Sequence, residues 1–325
     1  MALELRHLRY LIAVAGHGSF TRAAEELRIS QPTLSQQIKQ LERTVGAQLL
    51  DRTGRAVRLT DAGETYVHHA RAALRELAAA ERAVVDLADL SRGHLRLALT
   101  PTFTAYLTGP VVAALHAAHP GITLEVREAP QDRIEAGLLA DEHDLGLGFH
   151  GTHLPGIAAT PLFTETLGLV TATATATATG EGEGEPPPVP VRDLAGLRLA
   201  LLSGDFATRG HIDAYLAAHG VRPHVAVEAN SVQALTEIVR GTTLATVLPD
   251  AVTDDHPHLR PVLLEPAIPP RTVALLRRES AYESAAARAF AALTRSLVRA
   301  RGYRPAGRDE GADGPRREPV AEPTS

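Results

Sequence analysis

The sequence predicts a multidomain chain: a small α-rich head of helix, turn, helix and β-hairpin, then one long helix, then an α/β body in two lobes. Three observations predict it. Apolar residues recur every three or four positions in short runs before Gly46, and an arginine-flanked hairpin follows them. A proline-free helical stretch then occupies residues 61 to about 90. Beyond it the order strand, helix, strand, helix, strand occurs twice, the pattern of sheets flanked by helices.

In the head, Leu5, Leu8, Ile12 and Ala15 give a first helix one apolar face, ended near Gly16 and Gly18. A short second helix covers roughly residues 21–27, where the small pair Ala23-Ala24 lets another helix cross closely. Arg28-Ile29-Ser30 is the connection. Ser30 is a natural N-cap for a third helix, and Pro32 sits in its first turn, where no intrahelical N–H bond is lost. Leu34, Ile38 and Leu41 form the buried stripe of that helix, so Gln31, Thr33, Ser35, Gln36, Gln37, Lys39 and Gln40 face outward. Two helices, a tight turn and a polar second helix make a helix-turn-helix. AQLLDRTGRAVRLT then reads as strand, turn, strand, a wing with Thr53-Gly54-Arg55 at its tip and Arg52, Arg55 and Arg58 around it. Thr60 caps the next helix.

Along the long helix, Val67, Ala70, Leu74, Leu77, Glu81, Val84 and Ala88 alternate steps of three and four, a heptad seam broken at Glu81. Such a seam has little to pack on within the head, which predicts pairing with a second copy as a homodimer and allows a homotetramer. In the body, HLRLALT, a helix at 104–118, ITLEVREA, a helix at 132–139 and LGLGF form one unit. LRLALL, a helix at 208–218, HVAVEA, a helix at 231–240 and TLATVL form the other. Handedness and connection rules make each a small parallel sheet with flanking helices. LFTETLGLVTAT and RTVALLRR would cross between the lobes, and a last helix at 283–299 would return to the first. The expected domains are therefore 1–60, 61–90 and 91–300, with lobe I at about 91–161 and 268–300 and lobe II at about 162–267. The repetitive stretch 171–190 reads as a strand edge followed by a loop, and the tail 301–325 as disordered.

Composition narrows the function. With 44% hydrophobic residues in 325, the chain can bury a core. Cysteine is absent, which excludes a disulfide framework, a thiolate metal site and a cysteine nucleophile, and fits a reducing compartment. The N-terminal apolar run is interrupted by charges, and no segment reaches membrane-span length, so a cytoplasmic chain without a membrane partner is expected. Before Asp61 there are nine Arg/Lys against five Asp/Glu, so the head carries +4 and the remainder -9 of the total -5. A basic head on an acidic body points to a polyanion partner for the head alone. No nucleophile elbow, phosphate loop or dinucleotide fingerprint occurs, and neither His68-His69, His116 with His119 nor His256 with His258 offers a third metal ligand. No catalytic residue, metal or cofactor is therefore expected. A solute-binding protein would also show doubled lobes, but it has no use for the basic head.

The run GSFTRAAEELRISQPTLSQQIKQLE followed by LLDRTGRAVRLTDAGE resembles the head of LysR-type transcriptional regulators, and the order of head, wing, linker helix and two-lobed domain matches them from Leu5 to about Arg299. LALTPTFTAYLTGP, LLSGDFATR and VEANSVQALTEIVR are similar to the branch that regulates a cyanate operon. The insertion at 171–190 and the tail depart from the pattern. The resemblance implies an effector domain of the periplasmic-binding-protein-like kind, duplex promoter DNA as partner and contact with RNA polymerase. It implies that the third helix enters the major groove, with Gln31, Pro32, Thr33, Ser35 and Gln36 near bases or phosphates and Lys39, Arg22, Arg52 or Arg55 on phosphates. At the strand-to-helix junctions of the lobes, Thr100, Thr102, Phe103, Ser203, Thr208 and Asn230 would meet a small anion such as cyanate, or a small carboxylate. Ligand binding would change the angle between the lobes.

Overall fold

The computed structural model describes residues 3–54, 56–88, 93–173, 187–254 and 256–306. The chain divides after Ala88 into two units. The first contains α1 (Leu5–His17), α2 (Phe20–Glu26), α3 (Gln31–Val45), the two-residue strands β1 (Leu50–Asp51) and β2 (Arg58–Leu59), and α4 (Asp61–Ala88). The buried face of α1 is Leu8, Leu11 and Val14 with His7, not the expected Leu5, Ile12 and Ala15. Leu5 is exposed and the other two are half-buried. The stripe is rotated because α1 packs on α2, α3 and α4 together, so its inward direction lies between them.

The connection from α2 to α3 has a definite geometry. Ile29 N–H bonds Ala24 O at 3.0 Å and Arg28 N–H bonds Glu25 O at 3.1 Å, the paired bonds of a Schellman motif with Arg28 in the left-handed region at φ 54°. Ser30 then caps α3 as expected, its hydroxyl accepting from Thr33 N–H at 3.3 Å. The wing strands pair Leu50 with Leu59 and Asp51 with Arg58, antiparallel. Thr60 caps α4 through Gly63 N–H at 3.0 Å. Gly63 is buried directly against the Leu49 carbonyl, where a Cβ would collide with backbone. Val67 therefore enters the head's core, and Ala70 is buried too. The first part of the predicted seam thus packs on its own head, while Leu77 and Val84 further along are exposed at 42% and 68%. Leu90 lies outside the described residues.

The second unit runs through β3 (Gly93–Leu99), a 3-10 turn (Pro101–Ala105), α5 (Thr108–Ala118), β4 (Ile122–Glu128), α6 (Gln131–Leu139), β5 (Leu145–Phe149), β6 (Ile157–Glu165) and β7 (Leu167–Ala172). It continues with β8 (Val189–Pro190), β9 (Arg198–Leu202), α7 (Ala207–Ala218), β10 (His224–Ala229), α8 (Val232–Gly241), β11 (Thr246–Pro249) and α9 (Asp250–Asp254). β12 (Leu259–Val262), β13 (Leu264–Glu265), β14 (Arg271–Arg278) and α10 (Ala285–Ala300) complete it. The first lobe is a five-stranded sheet in the order β4-β3-β5-β14-β6. The second pairs β10 with β9 in parallel and sets β7 between β11 and β12 in antiparallel, with a parallel bridge from Leu199 to Ala245. Parallel pairing holds within each βαβ core, as expected. The crossing strands β6, β7 and β14 add the antiparallel members, so neither sheet is purely parallel.

α10 returns to the first lobe, packing on α5 and β3. Two details differ from expectation. The helix placed at 104–118 starts at Thr108, because the 3-10 turn at Pro101 comes first. The tail remains ordered past Gly302: Thr164 N–H bonds Arg304 O at 2.8 Å, Pro305 bridges to Phe163, and the Tyr303 ring stacks on Phe163 at 4.9 Å. That segment covers the outer edge of β6, which would otherwise offer unpaired backbone groups. Residues 307–325, and 174–186 of the repetitive stretch, lie outside the described residues.

Candidate nucleic-acid interface and inter-lobe cleft

Leu34, Ile38 and Leu41 fix the orientation of α3, each at most 1% exposed and each contributing about 1.5–3 kcal/mol by burial. What they leave outside is polar. Gln31, Pro32, Thr33, Gln36 and Lys39 are exposed, and Ser35, Gln37 and Gln40 are half-buried. Thr33 shares a 2.6 Å hydroxyl contact with Ser30 and so belongs partly to the cap. Arg22 is exposed on α2. Arg52 is differently employed. Its Nη2 donates to Glu42 Oε2 at 2.7 Å and its guanidinium lies 5.4 Å from the Phe20 ring centroid. Glu42 Oε1 accepts from the backbone N–H groups of Leu49 and Leu50 at 3.0 and 3.2 Å. One carboxylate on α3 thus holds the start of the wing, and Arg52 balances its charge, which leaves Arg52 a fastener where a free phosphate contact was expected. Arg55 lies outside the described residues. At the tip, the N–H and hydroxyl of Thr53 hold the Asp51 carboxyl below the usual carboxylate range. Lys39, Arg43 and Gln48 line an open hollow of about 420 Å³ beside Arg52. Arg43 and Gln48 were not legible as site residues, because nothing in their spacing marks a shared hollow.

In the second unit, a cavity of about 200 Å³ lies between the ends of β3 and β4 in one lobe and the start of α7 in the other. Thr100, Thr102, Glu128, Asp205, Thr208 and Asn230 are among its lining residues. α6 and α7 both begin without a side-chain cap on their leading N–H groups. Thr102 and Thr208 are each 1% exposed and line this space. Thr208 Oγ1 accepts from Arg271 Nη2 at 2.9 Å, which leaves its own proton free to donate. Arg271 is fixed in turn. Its Nε donates to Glu165 Oε2 at 2.6 Å, and its guanidinium sits 3.7 Å over the Phe149 ring. The Tyr106 hydroxyl donates to Glu165 Oε1; burial, with the Glu165 charge beside it, holds that phenol well above its usual range, so it stays a donor. Sequence reasoning missed Tyr106, Glu165 and Arg271, since only folding brings them together.

The remaining expected residues divide. Asn230 lines the cavity. Phe103 is fully buried, packed against Tyr106 and Phe149 in the core, because the 3-10 turn points it inward. The Ser203 hydroxyl donates to Asp205 Oδ1 at 2.6 Å, and Asp205, not Ser203, borders the cavity. No Lys, Arg or His is among the described lining residues, whereas Glu128 and Asp205 are exposed acids at its walls. Among the described residues, no group of three His, Asp or Glu is placed to hold a metal ion, and no helix is long and apolar enough to cross a membrane.

Residues 5–64 match the family model described as "Bacterial regulatory helix-turn-helix protein, lysR family", and residues 88–299 match "LysR substrate binding domain". The chain is 30% identical over 279 residues, 85% of its length and 90% of the relative's, to the "Hydrogen peroxide-inducible genes activator" of Dickeya chrysanthemi. The same figures relate it to the "DNA-binding transcriptional dual regulator OxyR" of Escherichia coli K12. A full-length cysteine variant of OxyR from Pseudomonas aeruginosa superposes with a TM-score of 0.66 at 24% identity, covering 91% of this chain and 95% of that one. Full-length CbnR in complex with its target DNA superposes with a TM-score of 0.58 at 23% identity, covering 90% and 99%. These two superpositions speak to the fold.

Proposed function

The chain belongs to the lysR family of bacterial regulatory helix-turn-helix proteins, and from that premise we propose an effector-responsive transcriptional regulator that reads promoter DNA through α3. One observation carries the DNA reading. A row of exposed amides and hydroxyls on α3 stands over an apolar stripe that fixes its direction, with Lys39, Arg43 and Arg22 nearby for phosphates. The exposed Leu77 and Val84 on α4 support pairing with a second copy.

The effector we propose is a small carboxylate, or a smaller anion such as cyanate, in the inter-lobe cavity. The hydroxyls of Thr102 and Thr208 and the uncapped N-termini of α6 and α7 favour a negative end. A cavity of about 200 Å³ is roomier than a triatomic ion needs, which favours the carboxylate. Glu128 and Asp205 disfavour a second negative charge and suit a hydroxyl or amino group at the other end. The similarity to a cyanate-operon branch rests on three short segments alone. A peroxide signal read by thiol oxidation is ruled out in these 325 residues, which contain no cysteine.

A thermal-shift screen of small carboxylates, cyanate and azide tests the site. A ligand at a hundred times its dissociation constant stabilises the native state by about 2.7 kcal/mol, so the melting point of the effector unit should rise. Thr102→Val should abolish the rise while leaving the ligand-free melt near that of the parent, and Thr208→Val should abolish it from a lower ligand-free melt, because Arg271 then loses a buried acceptor. A ligand whose shift survives both substitutions would bind elsewhere.

A further inference from the structure

We propose that His7 is a positioning residue for DNA recognition: it holds the Gln37 amide with its oxygen turned inward, so that Gln37 meets DNA as a hydrogen-bond donor only, at a phosphate oxygen. The inference rests on α3 being the helix that meets the duplex.

His7 lies in the first turn of α1 and is 2% exposed. Its Nδ1 accepts from the Glu4 backbone N–H at 3.2 Å. A backbone N–H can only donate, so Nδ1 carries no proton, and the proton of the ring sits on Nε2. Nε2 is 2.9 Å from Gln37 Oε1. The contact is therefore Nε2–H donating to the amide oxygen, and this fixes which way the amide faces. The helix-start bond to Glu4 thus sets a tautomer, and the tautomer sets a side chain on α3.

An unconstrained glutamine offers an acceptor and a donor side by side, the combination that matches adenine. Gln37 has its oxygen engaged inside the head. Its amide nitrogen has no hydrogen-bond partner among the described residues. Two N–H donors remain, which cannot make the paired contact to adenine but can donate to a phosphate oxygen, present at every nucleotide. Position favours the phosphate over a base as well. Gln37 is half-buried beside Ile38, on the flank of α3 that faces α1, whereas Gln36 and Lys39 are on the exposed row.

The test uses the full chain, a duplex that it selects from a random library, and a scrambled duplex of the same length. Loss of one hydrogen bond to a charged oxygen should weaken binding about tenfold. Gln37→Ala should show that loss equally on both duplexes. His7→Phe should show the same loss, and the double variant no more than either alone, since both remove one contact. A loss confined to the selected duplex would make Gln37 a base reader and overturn the proposal. Losses that multiply in the double variant would overturn the link to His7. If His7→Phe does not fold, Gln37→Glu decides: it keeps an oxygen for His7 but has no donor, so wild-type affinity in that variant would overturn the proposal. A parent chain that binds no duplex would instead end the DNA reading as a whole.

Discussion

Arg28 adopts the left-handed conformation that ends α2 and directs the chain into α3. The left-handed region disfavours any residue with a Cβ by roughly 1–2 kcal/mol, and glycine is the usual occupant. Arg28→Gly should remove that strain. Part of the gain is returned through the greater freedom of glycine in the unfolded chain, about 0.5–1 kcal/mol. A net stabilisation of roughly 0.5–1 kcal/mol is expected, seen as a higher urea midpoint with unchanged slope. An unchanged or lower midpoint would mean the arginine side chain makes a compensating contact. The cap at Ser30 was legible in the sequence because serine before Gln-Pro has a mechanism attached. The strain at Arg28 was not legible, because arginine carries no signal for a positive φ.

Among the elements, α4 has two distinct parts. Near its start Gly63, Val67 and Ala70 pack on the head; further along, Leu77 and Val84 are exposed. A seven-residue apolar spacing that points to solvent supports the proposed pairing with a second copy. Leu77→Glu combined with Val84→Glu should convert a dimer to a monomer in light scattering, because each exchange would bring carboxylates of two copies together. A particle of unchanged mass would assign the pairing to another surface. The long helix itself was legible. Where it stops packing on its own head was not, since that depends on the close approach of Gly63 to Leu49, a contact between segments fourteen positions apart. The same reason explains the rotated face of α1 and the ordered turn from Tyr303 to Pro305: each is decided by neighbours distant in sequence. Helix and strand existence followed from local periodicity, and orientation did not.

At the scale of the whole molecule, the sequence order of head, long helix and doubled α/β units matches the observed elements, and the parallel cores with their crossing strands occur where expected. The cavity between the lobes was only half legible. Thr100, Thr102, Thr208 and Asn230 stood out because they occupy strand-to-helix junctions. The buried chain from Tyr106 through Glu165 and Arg271 to Thr208 did not, because its members come from both crossing segments and from each lobe. That chain ties the Thr208 hydroxyl, beside the inter-lobe cavity, to the strands on which the two lobes join. In the other unit, the exposed amide and hydroxyl row of α3 is what we propose reads duplex sequence. Its most direct measurement is the ratio of affinities for a selected and a scrambled duplex, parent against Gln36→Ala, at physiological salt. The parent should prefer its selected duplex by about a thousandfold or more, and Gln36→Ala should lower that ratio by roughly 1–3 kcal/mol. Equal affinity of the parent for both duplexes would contradict the claim.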